Sequence, residues 1–193
     1  MSPWNAVKAD TYRLYGRFSW ACLIRAFFFR RAFRAIATMR LCQAASASRG
    51  LLRALRPLFR LLHHFASHRA GVDFPAAAEV GGGLAINHGW GLVVNKGARI
   101  GNNVTLFHGV TIGRRDRVAA SGERVTEYPE LEDEVWVGPH AIIVGGVRIG
   151  RGSRISGGAL VTSSIPPYSV VVGNPAQVVR SGCTPDVMNK APL

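Results

Sequence analysis

From Phe74 to Pro166 an apolar side chain returns at every sixth position. Phe74, Val80, Ile86, Val94, Ile100, Leu106 and Ile112 follow this rhythm with one irregularity, and Leu131, Val137, Ile143, Ile149, Ile155 and Val161 resume it. Four residues after such a position the side chain is often small or β-branched, as at Ala98, Val104, Val110, Ala141, Val147, Ser153 and Ala159. Directly after it stands mostly glycine or a small polar residue, as at Gly81, Asn87, Asn95, Gly101, Gly113, Gly138, Gly150, Ser156 and Thr162.

A period of six is neither the 3.6 of an amphipathic helix nor the plain alternation of a half-buried strand, and it marks a hexapeptide solenoid. Each hexad forms one short parallel strand with its corner, so three hexads close a triangular coil. Successive coils stack about 4.8 Å apart. One hexad alone buries too little to fold, whereas a stack shares a continuous core and its backbone ladders.

Two interruptions break the register. Two extra residues lie between Ile86 and Val94, within NHGWGLVVN, which puts Leu106 one coil above Ile86 and His88 under His108. Both imidazoles should then emerge on the same outer face of adjacent coils. The second interruption lies between Ile112 and Leu131 and extrudes thirteen residues. This polar, charged loop, roughly Arg114 to Tyr128, leaves a rigid scaffold in the way that functional loops do.

Charge divides the chain. Residues 1–72 hold 13 Lys and Arg against one acid, Asp10, whereas residues 73–193 hold 11 against 10. The basic part reads as helices over about Ala6 to Gly16, Ser19 to Ala45 and Gly50 to Ser67. Arg53, Arg56 and Arg60 share one helix face, with Leu51, Leu55, Leu58 and Leu62 opposite, a basic amphipathic pattern. Arg25 and Arg30 split the most hydrophobic part, so no apolar run is long enough to span a bilayer, and no secretory signal pattern is present. The apolar face can lie on an anionic inner-membrane surface through residues 1–70, or pack on the solenoid or on partner subunits. No nucleic-acid-binding signature accompanies the charge. Cys22, Cys42 and Cys183 lack metal-ligand spacing and read as reduced cytoplasmic thiols. His63, His64 and His68 read as surface residues and His140 as a structural corner.

Three stretches carry a resemblance: GVDFPAAAEVGGGLAINHGWGLVVN (71–95), ARIGNNVTLFHGVTIG (98–113) and SIPPYSVVVGNPAQVVR (164–180). Together they resemble the serine acetyltransferase family of hexapeptide-repeat acyltransferases, and especially its shorter capsule and exopolysaccharide members of the colanic acid type. The resemblance implies a mainly β fold, a left-handed parallel β-helix preceded by an α-helical segment. The chain then divides into a basic helical segment (1–72), a β-helix domain (73–180) with the extruded loop 114–130, and a tail (181–193). It implies acetyl-CoA as acyl donor, no metal, and a homotrimer or dimer of trimers with sites between neighbouring β-helices.

Residue by residue, His88 matches the family's catalytic base and Asp73 its acidic partner, a pairing carried by the resemblance and not by coil counting. Asn87 stands where serine acetyltransferases carry an aspartate, and Glu127-Tyr128-Pro129 where their loop carries Arg-His-Pro. The tail ends Ala191-Pro192-Leu193 without the family's terminal isoleucine. Asn87, Trp90, His108, Glu127 and Tyr128 are the candidate acceptor contacts. Gly113, Arg114, Gly157 and Arg180 are the candidate coenzyme A contacts, with a backbone N–H near Gly113 or Arg114 facing the oxyanion; Pro139 offers none.

The chemistry agrees with that assignment. Transfer from a thioester to a hydroxyl needs a base of near-neutral pKa, and imidazole supplies it. No nucleophile is required, so direct transfer is expected. The two departures at Asn87 and the loop, with the aromatic plane of Trp90, favour a sugar hydroxyl in bacterial polysaccharide biosynthesis as acceptor, with L-serine the alternative. A metalloenzyme resembling the gamma carbonic anhydrases, built on His88, His108 and His140, and a noncatalytic scaffold are the remaining alternatives. The expected location is the cytoplasm, at the inner membrane face.

Overall fold

The computed structural model of the chain describes residues 1–193. Five helices come first: α1 (Pro3–Tyr15), α2 (Trp20–Phe29), α3 (Arg31–Ala47), α4 (Leu51–Ala54) and α5 (Arg56–Ala70). Ser2 and Ser19 cap α1 and α2 by accepting from the N–H groups of Asn5 and Cys22. The helix expected over Ser19 to Ala45 breaks at Arg30, which is extended at φ −115°, ψ 97°. Arg34 makes the break possible: its guanidinium donates to the carbonyls of Phe27 and Phe28, which the ended helix leaves without partners. The third expected helix restarts at Arg56, with Pro57 in the first turn of α5, where its missing N–H costs nothing.

The solenoid follows. Its first coil holds β1 (Val72–Asp73), β2 (Glu79–Val80) and β3 (Ala85–Asn87), and its second β4 (Leu92–Val94), β5 (Arg99–Ile100) and β6 (Thr105–Phe107). The third holds β7 (Thr111–Gly113), then an antiparallel hairpin, β8 (Arg115–Val118) and β9 (Arg124–Glu127), then β10 (Glu130–Leu131) and β11 (Trp136–Val137). The fourth holds β12 (Ile142–Val144), β13 (Arg148–Ile149) and β14 (Arg154–Ile155); the last holds β15 (Leu160–Val161), a single bridge at Ile165 and β16 (Val170–Val172). β17 (Gln177–Arg180) turns back antiparallel on β16 and covers the last coil.

These strands stack into three parallel sheets, β1-β4-β7-β12-β15, β2-β5-β10-β13 and β3-β6-β11-β14-β16. Ile86 pairs with Leu106, as the spacing predicts. From Val94 to Val161 every residue of the six-residue register is buried, with Leu106, Ile112, Val137, Ile143, Ile149, Ile155 and Val161 at 0% exposure. At about 1.5–3 kcal/mol for each fully buried aliphatic side chain, this column is the main stabilising element. The extruded residues are an ordered ribbon held by Arg115–Glu127, Arg117–Glu127 and Arg124–Asp116 ion pairs.

The helices dock on the corner that follows the second sheet. Asp10, the single acid of residues 1–72, is buried against Arg40 (3.0 Å) and accepts from the N–H of Leu84 (2.8 Å). Burial pushes the Asp10 carboxyl up against the pull of Arg40 and the backbone donors. Arg40 also donates to the carbonyls of Val80 and Gly81, and Arg13 to Gly83 O and Thr105 Oγ1. Burial lowers the Arg13 pKa to about 10. The tail seals the same corner, Asn103 pairing both ways with the backbone of Ala191.

Not all the basic charge of the helical part is at the surface: Arg13 and Arg40 are buried. His63 is not a surface residue: it is buried, with Nδ1 beside Thr38 Oγ1 (3.1 Å) and Nε2 beside Phe74 O (2.8 Å). The leucines of α4 and α5 do not pack on the solenoid. Leu51, Leu58 and Leu62 stay exposed, and α5 buries His63, Ala66, Ser67 and Ala70 instead, because small side chains let it approach α3 closely. No helix is long and apolar enough to cross a membrane.

Candidate active site

The corner between the third and first sheets carries the histidines. His88 leaves β3, His108 leaves β6 one coil higher, and His140 leaves the segment after β11. Their rings meet edge to face, at 6.0 Å between the centroids of His88 and His108 and 5.0 Å between those of His108 and His140. The predicted stack of His88 and His108 is therefore present. His88 holds a left-handed backbone, φ 64°, a conformation that recurs at the corner residues Asn103, Glu134, His140 and Tyr168 and so belongs to the way this coil turns. His140 sits at φ 57° directly over Gly109, where any Cβ would collide with its ring.

Nδ1 of His108 is buried with no hydrogen-bond partner in the chain. A buried polar group left unpaired costs about 1–3 kcal/mol, so this corner carries a polar atom that the chain itself does not satisfy. No group of three or more His, Cys, Asp or Glu is placed to hold a metal ion.

Trp90, one of the residues of the widened corner, rests on Gly71. Gly71 ends α5 at φ 67°, and a Cβ there would fall within the indole. The backbone N–H of Trp90 donates to His88 O and its carbonyl accepts from Gly109 N–H, so the main chain that carries the indole is fixed between the two histidine turns. The guanidinium of Arg31, at the start of α3, lies 3.9 Å from the Trp90 ring centroid and donates to His88 O at 3.4 Å. A cavity of about 630 Å³ opens beside it between the α2–α3 junction and β3, lined by Arg30, Arg31, Asn87 and His88 on its polar side. Arg31 escaped the sequence reading because the helix break that positions it has no glycine or proline to announce it.

The remaining candidates are divided. Asp73 shares no hydrogen bond or ion pair with His88. Val72 points inward and Asp73 leaves the outer face of β1, paired with Val93 and exposed along a groove that also holds His64 and His68. Glu127 and Tyr128 lie at the root of the hairpin, at the opposite edge of the first sheet from His88. That sheet is three residues wide, roughly 10 Å. Hydrogen bonds from Arg115, against the effect of burial, and then from Arg117 hold Glu127 below the usual glutamate range. Tyr128 packs over Gly97. Gly113 and Arg114 share that far edge, so an oxyanion donor there does not face His88 of the same chain. Gly157 is on the histidine corner, one coil above Pro139, and beside it Gly158 leaves open backbone, with nothing within 4 Å of the place a Cβ would take. This bare, exposed strip fits an extended thioester arm. Arg180 is on β17, exposed and without an acid partner.

The bacterial transferase hexapeptide family (six repeats) matches residues 128–163. The serine acetyltransferase of Mycobacterium tuberculosis is 38% identical over 127 residues, covering 66% of this chain and 53% of the relative. Serine acetyltransferase 2 of Arabidopsis thaliana is 37% identical over 110 residues, 57% of this chain and 32% of the relative. The chain thus spans only part of the length of the curated relatives it matches. Among solved structures, the serine acetyltransferase of Neisseria gonorrhoeae superposes with a TM-score of 0.74 at 30% identity, covering 94% of this chain and 68% of that one. Fold and helical segment agree with expectation, and these β-helices place the coil among the left-handed ones. The expected acceptor does not: the strong similarities run to serine acetyltransferases, which overturns the sugar hydroxyl and polysaccharide biosynthesis reading and the nearness to capsule enzymes. Asn87, Glu127 and Tyr128 were weighed too heavily, because three changed side chains say less about an acceptor than similarity along the whole coil.

Proposed function

Since the chain belongs to the hexapeptide-repeat transferase family, where its strong relatives are serine acetyltransferases, we propose that it is an acetyl-CoA-dependent serine O-acetyltransferase. The observation that carries this is the His88–His108 pair at one corner of adjacent coils, with His88 held in a left-handed turn. Acetyl-CoA supplies the acetyl group as a thioester. Backbone at Gly157 and Gly158 receives its arm, and Arg180 offers a cation to its phosphates, while Arg114, paired with Asp116 on the far edge, reaches that strip only from a neighbouring copy.

His88 takes the proton of the serine hydroxyl as the oxygen attacks, and returns it to the departing sulfur. His108, edge to face with His88, lines the acceptor side of the site. Asn87, in place of a carboxylate, presents a neutral carbonyl oxygen to the serine ammonium. The working unit is a trimer, supported by two features: exposed Val93 and Ile142 on the first sheet, and a hairpin root that only a neighbouring copy can bring to a histidine corner. Light scattering that gives a monomer during turnover overturns the shared site.

The test is acetylation of L-serine followed by thiol release. His88→Ala should lower kcat about 100-fold or more while acetyl-CoA still binds. A near wild-type rate for His88→Ala with an inactive His108→Ala refutes the assignment.

For location, the reading is a cytoplasmic protein whose residues 1–70 rest on the anionic inner membrane face. It is supported by the exposed stripe Leu51, Leu58 and Leu62 flanked by Arg53 and Arg60, with the one acid of this segment buried. Substituting Leu58 and Leu62 by serine should reduce sedimentation with anionic vesicles; unchanged partition rejects it.

A further inference from the structure

The break between α2 and α3 sets two guanidinium groups over the turn that carries the candidate base. Arg30 and Arg31 both line the cavity beside His88, and no aspartate or glutamate lines it. Arg31 makes no ion pair. Its guanidinium lies on the Trp90 ring, and stacking of this kind occupies the face of the group while leaving its in-plane N–H donors at the edge. One of those donors makes a long 3.4 Å bond to His88 O. The indole lies against Gly71, and its main chain is bonded to both histidine turns.

Across the first sheet, the hairpin presents Glu127, a carboxylate already held by Arg115 and Arg117. The hairpin residues at that place therefore offer an acceptor no free cation. An α-amino acid still brings a carboxylate into the pocket, and burying that charge without a partner is costly. We propose that Arg31, seated on Trp90, is the receptor for the acceptor's carboxylate, so that the cavity beside His88 selects hydroxyl acceptors bearing an anionic group. This rests on the serine reading above. Because Arg31 reaches the carbonyl of His88 itself, the carboxylate at its free edge and the hydroxyl at the imidazole belong to one small molecule. Arg30 adds a second positive charge to the same cavity, and Asn87 remains for the ammonium.

The experiment compares L-serine with L-serinamide, which keeps the hydroxyl and amine and lacks the anion, in wild type, Arg31→Ala and Arg31→Lys. Arg31→Ala should raise KM for L-serine about 10- to 100-fold, the range for losing a charge-assisted hydrogen bond, with kcat and the KM for acetyl-CoA little changed. Wild type should prefer L-serine to L-serinamide, and Arg31→Ala should lose that preference. Arg31→Lys should recover part of it, since a point charge replaces a planar fork. An equal loss for both acceptors would show that Arg31 only supports the turn and overturns the proposal. An unchanged KM for L-serine overturns the subsite and leaves the serine reading standing. Wild-type protein without L-serine turnover overturns the serine reading and the subsite together.

Discussion

Replacing Asp10 by alanine strikes the joint between helices and solenoid. The carboxylate is 1% exposed and touches Arg40 with both oxygens, at 3.0 and 3.3 Å, while Oδ1 also accepts from Leu84 N–H at 2.8 Å. Alanine leaves a guanidinium that is itself 2% exposed without its counter-charge and a backbone donor without its acceptor. Breaking a buried pair in this way costs about 3–5 kcal/mol. For a chain of this size that is about 6–20 °C in Tm. Thermal and urea unfolding by circular dichroism at constant protein concentration would measure it. The double substitution Asp10→Leu with Arg40→Met removes both charges and should recover part of the loss. Recovery stays incomplete, because Arg40 also serves the carbonyls of Val80 and Gly81. A single variant within about 1 kcal/mol of wild type, or a double variant no better than the single one, would refute the reasoning.

Gly71→Ala should both lower Tm and raise KM for L-serine, since the new Cβ displaces Trp90 and with it the seat of Arg31; kinetics and melting on one preparation check this. His108→Ala should affect acceptor KM more than kcat, read from L-serine saturation curves. At Glu134 burial works to raise the pKa, but hydrogen bonds from Arg151 and Lys190 outweigh it and hold the group below the ordinary value of 4.5. A lowered folded-state pKa contributes stability that is full above about 4.5 and is lost as pH falls through the folded value. Melts taken from neutral pH into the acid range should show this limb, and Glu134→Gln should flatten it.

How legible the candidate site was depended on how near in sequence its parts lie. His88 and His108 could be placed on one corner by counting, because a coil of known length converts sequence separation into stacking. Trp90 came with the widened turn. Asp73 was joined to His88 through resemblance alone, since no count of coils relates β1 to the histidine corner. Glu127 and Tyr128 were grouped with the histidines on similarity, yet the hairpin leaves the other edge of the first sheet, a distance that no motif states. Arg31 gave no signal at all.

The amino-acid order alone determined the solenoid: which residues face inward from Val94 to Val161, that Leu106 rests on Ile86, and where chain is extruded. Burial in a repeating coil depends on position within the repeat, so a local pattern specifies a long-range structure. The helical segment has no such repeat. Its charge was visible, but whether an arginine faces water or the interior was decided by partners far along the chain, as Arg13 meets Gly83 and Arg40 meets Asp10 and Val80. The face of α5 that is buried was likewise settled by closeness to α3, against the larger hydrophobicity of its leucines. An amphipathic pattern states which faces differ, and only packing against a particular neighbour selects the face that is covered.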